Sequence, residues 1–151
     1  MKTDGPDAPA ELKARALRHL VRREHSRAEL ARKLAPHAES QEAVDALLDS
    51  LLSRKQLSDE RFSEERARSL SRKYGAAKIR QDLKARGIAE EVITQISSRL
   101  DDSQKAREIL AKKFPLEPKN REERAKRARF LQGRGFSYEV IIHALSSRHD
   151  E

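Results

Sequence analysis

Asp82-Leu83-Lys84 has the acid-x-lysine spacing of a nuclease triplet, in which a carboxylate would hold a divalent cation and a lysine would steady a phosphate. It falls inside a helical stretch with no strand and no second acid, so that chemistry is not expected. Asp101-Asp102 offers two adjacent carboxylates, a metal pair by residue type, but stands where a helix needs an N-terminal cap. The five histidines are His19, His25, His37, His143 and His149. His19 and His25 are six apart, which does not place them on one helical face, and no H-E-x-x-H pattern occurs. No serine lies in a G-x-S-x-G context, and no glycine-rich nucleotide loop is present. The absence of cysteine removes thiol nucleophiles, thiolate metal sites and disulfides, and fits a reducing compartment. No catalytic residue, cofactor or metal is therefore expected, and the chain reads as non-enzymatic.

The cations are the more informative side chains. Arg72, Lys73, Lys78, Arg80, Lys84 and Arg86 gather around the Tyr74-Gly75 pair, with few local acids. A second run holds Lys119, Arg121, Arg124, Lys126, Arg127, Arg129 and Arg134, diluted by Glu122 and Glu123. Such clusters suit phosphate contacts, each of which adds salt-dependent affinity. The bland reading is a solvated helix face with i,i+4 pairs. Tyr74 has two readings, stacking on a base or closing its turn against Leu70, and the packing role is preferred.

These side chains need elements to hold them. The net charge is +8 and the pI about 10, which favours an anionic partner, nucleic acid first. Charged residues (38%) outnumber hydrophobic ones (36%) and only six residues are aromatic, so several small cores suit the chain better than one large one. Helix formers dominate and no alternating Val/Ile/Thr run appears, so the fold is expected to be all-α. No apolar run of about 18 residues is present and the N-terminus is polar, so a cytoplasmic protein without a membrane span is expected.

In chain order, residues 1–9 read as a disordered lead-in. A helix over 10–24 has Ala16, Leu17, Leu20 and Val21 as its apolar stripe. Ser26-Arg27-Ala28-Glu29 is a capping box opening a helix that buries Leu30 and Leu34. A third helix starts at Ser40 and buries Val44, Leu47, Leu48, Leu51 and Leu52. In the middle, a helix runs from Ser58 to Tyr74 and stops at Gly75. A basic helix with Ile79 and Leu83 inside stops at Gly87, and another begins near Ala89. The last third has helices from Asp101 to Phe114, from Asn120 to about Gly133 and from Ser137 onward. Leu34, Leu83 and Leu131 fall at equivalent places, spaced by 49 and 48 residues, and Gly87-Ile88 matches Gly135-Phe136. The expected architecture is three tandem three-helix repeats, helix-turn-helix-like, in an elongated, curved array: 10–57, 58–100 and 101–147, followed by a polar tail, 148–151. A monomer is expected. Helix-turn-helix units can read a major groove, but the exposed faces carry Arg and Lys rather than Asn and Gln, which points to backbone or protein contact.

Four segments in order, REHSRAEL (23–30), SDERFSEERARS (58–69), KYGAAKIRQDL (73–83) and RFLQGRGFSYEVI (129–141), resemble the RecX family of bacterial recombinase regulators. The resemblance covers about 12–147. It implies three three-helix repeats, no enzymatic activity, and a partner: the recombinase RecA, which forms filaments on single-stranded DNA. It implies binding to the RecA filament and restraint of its recombinase, ATPase and coprotease activities; the basic faces add an expected direct contact with single-stranded DNA, with double-stranded DNA as a further candidate. The expected contact residues are Arg72, Lys73, Tyr74, Lys78, Arg80 and Lys84 in the middle, Arg124, Lys126 and Arg127 in the last third, and Arg23 and Arg27 near the first turn. The alternative is a basic helical DNA-binding module or transcriptional regulator acting without RecA. Two departures from the family stand out. Ala76 follows Gly75 where the family often has Pro, at little expected cost. Arg66 and Ala67 replace larger apolar residues, which is expected to loosen the middle repeat.

Overall fold

The computed structural model describes residues 5–146; the start of the lead-in (1–4), Ser147 and the polar tail (148–151, with His149) lie outside the described residues. Among the described residues there are nine α-helices and no strand: α1 (Pro9–Arg22), α2 (Arg27–Leu34), α3 (Gln41–Ser53), α4 (Asp59–Leu70), α5 (Ala76–Ala85), α6 (Glu90–Ser98), α7 (Asp102–Lys113), α8 (Arg121–Gly133) and α9 (Tyr138–Ser146). A 3-10 turn, Ala35–His37, follows α2.

The helix starts follow their caps. Ser26, Ser40, Ser58, Asp101 and Asn120 each accept a hydrogen bond from the backbone N–H three residues on, which satisfies a donor the helix itself leaves open. The stops after α5 and α8 are Schellman turns: Ile88 N–H reaches Leu83 O at 3.1 Å and Phe136 N–H reaches Leu131 O at 3.2 Å. Gly87 (φ 83°) and Gly135 (φ 88°) supply the left-handed residue these turns require. Gly75 differs from expectation: its φ is −86° and it is the N-cap of α5. α4 ends at Leu70, so the chain from Ser71 to Tyr74 is a turn rather than the last turn of a helix.

The helices make three modules with separate cores. Leu12, Ala16, Leu30, Leu34, Val44, Leu48, Leu51 and Leu57 form the first. Phe62, Ala67, Ile79, Leu83, Ile88, Ile93 and Ile96 form the second. Ala106, Leu110, Leu131, Phe136, Ile141, Ala144 and Leu145 form the third. The equivalent leucines Leu34, Leu83 and Leu131 are each completely buried. Every helix pair in extensive contact lies within one module, as in a tandem array whose units share little core.

Three expectations are corrected. Val21 is 87% exposed and not part of the α1 core stripe; at about 100° per residue it stands opposite Leu12. Asp7, expected in a disordered lead-in, accepts Arg15 Nε at 2.8 Å and donates its N–H to His37 O, which ties the chain to the end of the 3-10 turn. Arg66 does not loosen the middle module. Its guanidinium makes two 2.9 Å bonds to the Asp82 carboxylate and clamps α4 to α5, while the small Ala67 beside it is buried.

Candidate interface at the module junctions

The modules meet through polar contacts and close backbone approach, and the same device is used twice. At the first junction, the Arg27 N–H at the start of α2 donates to Asp59 Oδ1 (2.8 Å), the first residue of α4. Ser26 Oγ donates to Arg86 O, just past α5 (3.3 Å), and Gly87 lies against Ala28. At the second junction, the Ala76 N–H at the start of α5 donates to both oxygens of Asp102 (3.1 Å each), the first residue of α7. The Gly75 N–H donates to Arg134 O, just past α8, at 2.7 Å, and Gly135 lies against Lys78. In each case an aspartate of the following module caps the second helix of the preceding one, whose positive dipole end favours a negative charge. Asp101 caps its own helix and Asp102 the neighbouring one. Burial raises the Asp102 carboxyl above the usual range, with the Ala76 N–H opposing and Asp101 adding to the rise.

The first junction is also bound by charge pairs. Arg61 Nε meets Glu24 at 2.9 Å, and Arg86 meets Glu29 at 3.6 Å. Glu29 does not complete the capping box expected of it. Its carboxylate instead takes both guanidinium nitrogens of Arg23 at 2.9 Å, and the Arg23 hydrogen bond holds it down at about 2 against the cost of burial. His25 is buried, its Nε2 2.8 Å from Lys33 Nζ and its Nδ1 3.0 Å from Arg23 O. Lysine can only donate, so Nε2 accepts and Nδ1 carries the proton. Burial pushes the His25 imidazole down.

At the second junction the cations carry few acids. Arg72 and Lys73 are exposed on the turn before Gly75 and Lys78 on the first turn of α5, while Lys84 is exposed toward the other end of α5, beside the first junction. None of these four forms an ion pair among the described residues. Arg134 arrives from 61 residues away. Its guanidinium lies over the Tyr74 ring (5.5 Å) and the Phe130 ring (4.9 Å), and Nη1 reaches Lys73 O at 3.4 Å. Phe130 meets Phe114 edge-on, and Arg127 lies over Phe114 at 4.8 Å. Three of the chain's six aromatic residues are thus committed to one cation–aromatic ladder running into the junction. The Tyr74 ring there packs under the Arg134 guanidinium, and its backbone N–H closes the turn on Leu70 O at 2.9 Å.

The remaining expected site residues scatter. Arg80 is half-buried, ion-paired with Glu90 and bonded to Ser97 Oγ at 2.7 Å, so α5 presents fewer free cations than its sequence suggests. Arg27 is paired with Asp49 (2.9 Å), and Arg23 is engaged by Glu29. Arg124 is half-buried, with Nη1 directed at Leu145 O (3.4 Å), and Lys126 is exposed. Arg127 is only 6% exposed, because at this position on α8 its stem turns toward Phe114; it does not face a partner. Arg134 is the residue that sequence reasoning placed with the wrong group. It read as the end of the 119–134 run, and only the fold brings it to Tyr74. Among the described residues no group of three or more His, Asp or Glu is arranged to hold a metal ion, and no helix is long and apolar enough to cross a membrane.

This arrangement has relatives. The models of the first, second and third three-helix domains of RecX match residues 13–51, 58–95 and 101–145. The chain belongs to the RecX family. It is 44% identical over 143 residues to the regulatory protein RecX of Ralstonia pickettii (strain 12J), covering 93% of this chain and 90% of that one. It is 43% identical over 144 residues to that of Herbaspirillum seropedicae, covering 94% of each. The crystal structure of RecX from Lactobacillus salivarius superposes with a TM-score of 0.82 at 19% identity, over 95% of this chain and 97% of that one, which supports the fold. RecX proteins are regulators by name, and the fold is the expected all-α array of three three-helix repeats.

Proposed function

We propose that this chain is a non-catalytic inhibitor of RecA that lies along the RecA–single-stranded DNA filament and restrains its recombinase, ATPase and coprotease activities. The observation that carries this reading is the set of exposed cations without acidic partners: Arg72, Lys73 and Lys78 at the junction of the second and third modules, and Lys84 toward the other end of α5. Acids neutralise Arg23, Arg27 and Arg80, but these four remain available to phosphate or to an acidic protein surface. Membership in a family of regulatory proteins supports the same reading. A tandem array touches successive protomers and the nucleic acid at once, and gains affinity from the number of contacts.

The test is the ATPase rate of RecA assembled on single-stranded DNA, titrated with this protein and with the variant Lys73→Glu/Lys78→Glu/Lys84→Glu. A control, Arg32→Glu/Arg54→Glu/Lys112→Glu, reverses three exposed cations elsewhere. The junction variant is expected to need at least tenfold more protein for half inhibition, with unchanged helicity and a shallower salt dependence. Equal inhibition by the folded junction variant and the control refutes the assignment of the surface. Binding of the wild-type protein to DNA with no effect on RecA supports instead a DNA-binding module acting alone.

A further inference from the structure

The first helix carries two apolar stripes. Leu12, Ala16 and Leu20 face the core. Ala10, Ala14, Leu17 and Val21 recur at intervals of four, three and four, the spacing of a coiled-coil seam. At about 100° per residue this second stripe is centred about 130° from the first, and Leu17, on its inner edge, also packs against the first core. Ala10 and Ala14 are exposed, Leu17 is partly covered, and Val21, at 87%, is the most exposed large apolar side chain described. Ala14, Leu17, Arg18, Val21 and Arg22 line one shallow groove there, together with His19 and with Arg15, which is paired to Asp7. The corresponding helices of the other modules have no such seam. The exposed residues of α4 are Glu60, Glu65, Arg68 and Ser69, and those of α7 include Gln104, Arg107 and Glu108.

The flanks of the seam decide what fits it. Lys13 borders one side, and Arg18 and Arg22 border the other, with Glu11 near the start of the helix. None of the three cations is ion-paired among the described residues. A second copy of this chain would bring three cations and one acid against the same set, an unfavourable match. We propose that α1 docks an amphipathic helix of another protein, with aliphatic residues on its seam and acidic residues beside it. This surface is separate from the junction cations, and its test requires neither RecA nor DNA.

The probe is a fluorescent three-heptad peptide with Leu at a and d and Glu at e and g, whose own pairing the glutamates oppose. Its partner in the test is the full chain, and a scrambled peptide of the same composition is the control. The wild-type protein is expected to bind the patterned peptide and to bind the scrambled one at least tenfold more weakly. Val21→Glu, at a position too exposed to disturb the core, is expected to weaken binding at least tenfold with unchanged helicity, and so is Arg18→Glu/Arg22→Glu. Equal binding of the two peptides, or undiminished binding by Val21→Glu, overturns the proposal. A concentration-dependent dimer in sedimentation that Val21→Glu dissolves also overturns it, and gives the seam to a second copy.

Discussion

Replacing Gly75 with alanine wedges the second and third modules apart. The backbone of Gly75 (φ −86°) suits any residue, so the effect is steric alone. A Cβ there stands 2.6 Å from Gly135 O and 2.7 Å from Phe136 Cδ1, where ordinary contact begins at 3.4 Å. The carbonyl must retreat by about 0.8 Å, the difference of those distances. A comparable retreat of Arg134 O, one residue back, stretches its 2.7 Å bond from Gly75 N–H beyond hydrogen-bonding range. A lost hydrogen bond and a strained contact cost about 1–3 kcal/mol together. The cores of the two modules are separate, so the loss concentrates at the junction. Native-state hydrogen exchange reads it directly: the Gly75 and Ala76 amides are expected to exchange roughly 5- to 150-fold faster, at about 1.4 kcal/mol per factor of ten. The Leu83 and Leu131 amides, in the module interiors, should change little. Gly133→Ala is the internal control, since a Cβ there meets nothing within 4 Å; it is expected to stabilise α8 by up to about 1 kcal/mol. Unchanged exchange at Gly75 in the alanine variant refutes the reasoning.

The remaining predictions concern the first and last modules. Glu29, lowered from 4.5 to about 2, contributes stability that is fully present above pH 4.5 and is lost as pH falls toward 2. The loss is at most about 3 kcal/mol, reduced by the partial exposure of Arg23. Urea denaturation from pH 6 to pH 2 should show this slope, and Glu29→Gln should flatten it. Arg127→Ala should destabilise the third module by about 1–3 kcal/mol through lost packing on Phe114, whereas Lys126→Ala should stay within about 0.5 kcal/mol. Thermal unfolding of the two variants separates a packed arginine from a surface lysine, and equal effects count against the ladder.

The helices were legible because their signals are local. Ser26, Ser40, Ser58 and Asn120 announce starts, Gly87 and Gly135 announce stops, and Leu34, Leu83 and Leu131 keep one register through all three modules. Long-range partners were not legible. Glu29 three residues after Ser26 is a capping-box pattern, yet Arg23 competes for its carboxylate and wins with two bonds. Val21 extends an apolar run on paper but turns outward, because the Leu12–Ala16 face already fixes the helix rotation. Arg80 and Lys84 look alike in sequence, and only Glu90 and Ser97 on α6 tell them apart. Ala76 in place of the family's frequent proline appeared inconsequential. Its N–H is the donor that Asp102 accepts, and proline has none.

The second module alone carries both halves of the junction device: Gly75 and Ala76 to be capped, and Asp59 and Gly87 to receive. Segment 58–100 is therefore self-complementary end to end, like a tile with tongue and groove. Inserted twice, it presents its own Asp59 to its own Ala76 and forms a junction of a kind already present. The first module has proline, not aspartate, at the start of α1, and a proline-bearing 3-10 turn where the others have glycine, so it lacks the receiving half of the device. Because the middle module both offers and receives the junction contacts, a further copy of it would lengthen the array without a new kind of contact.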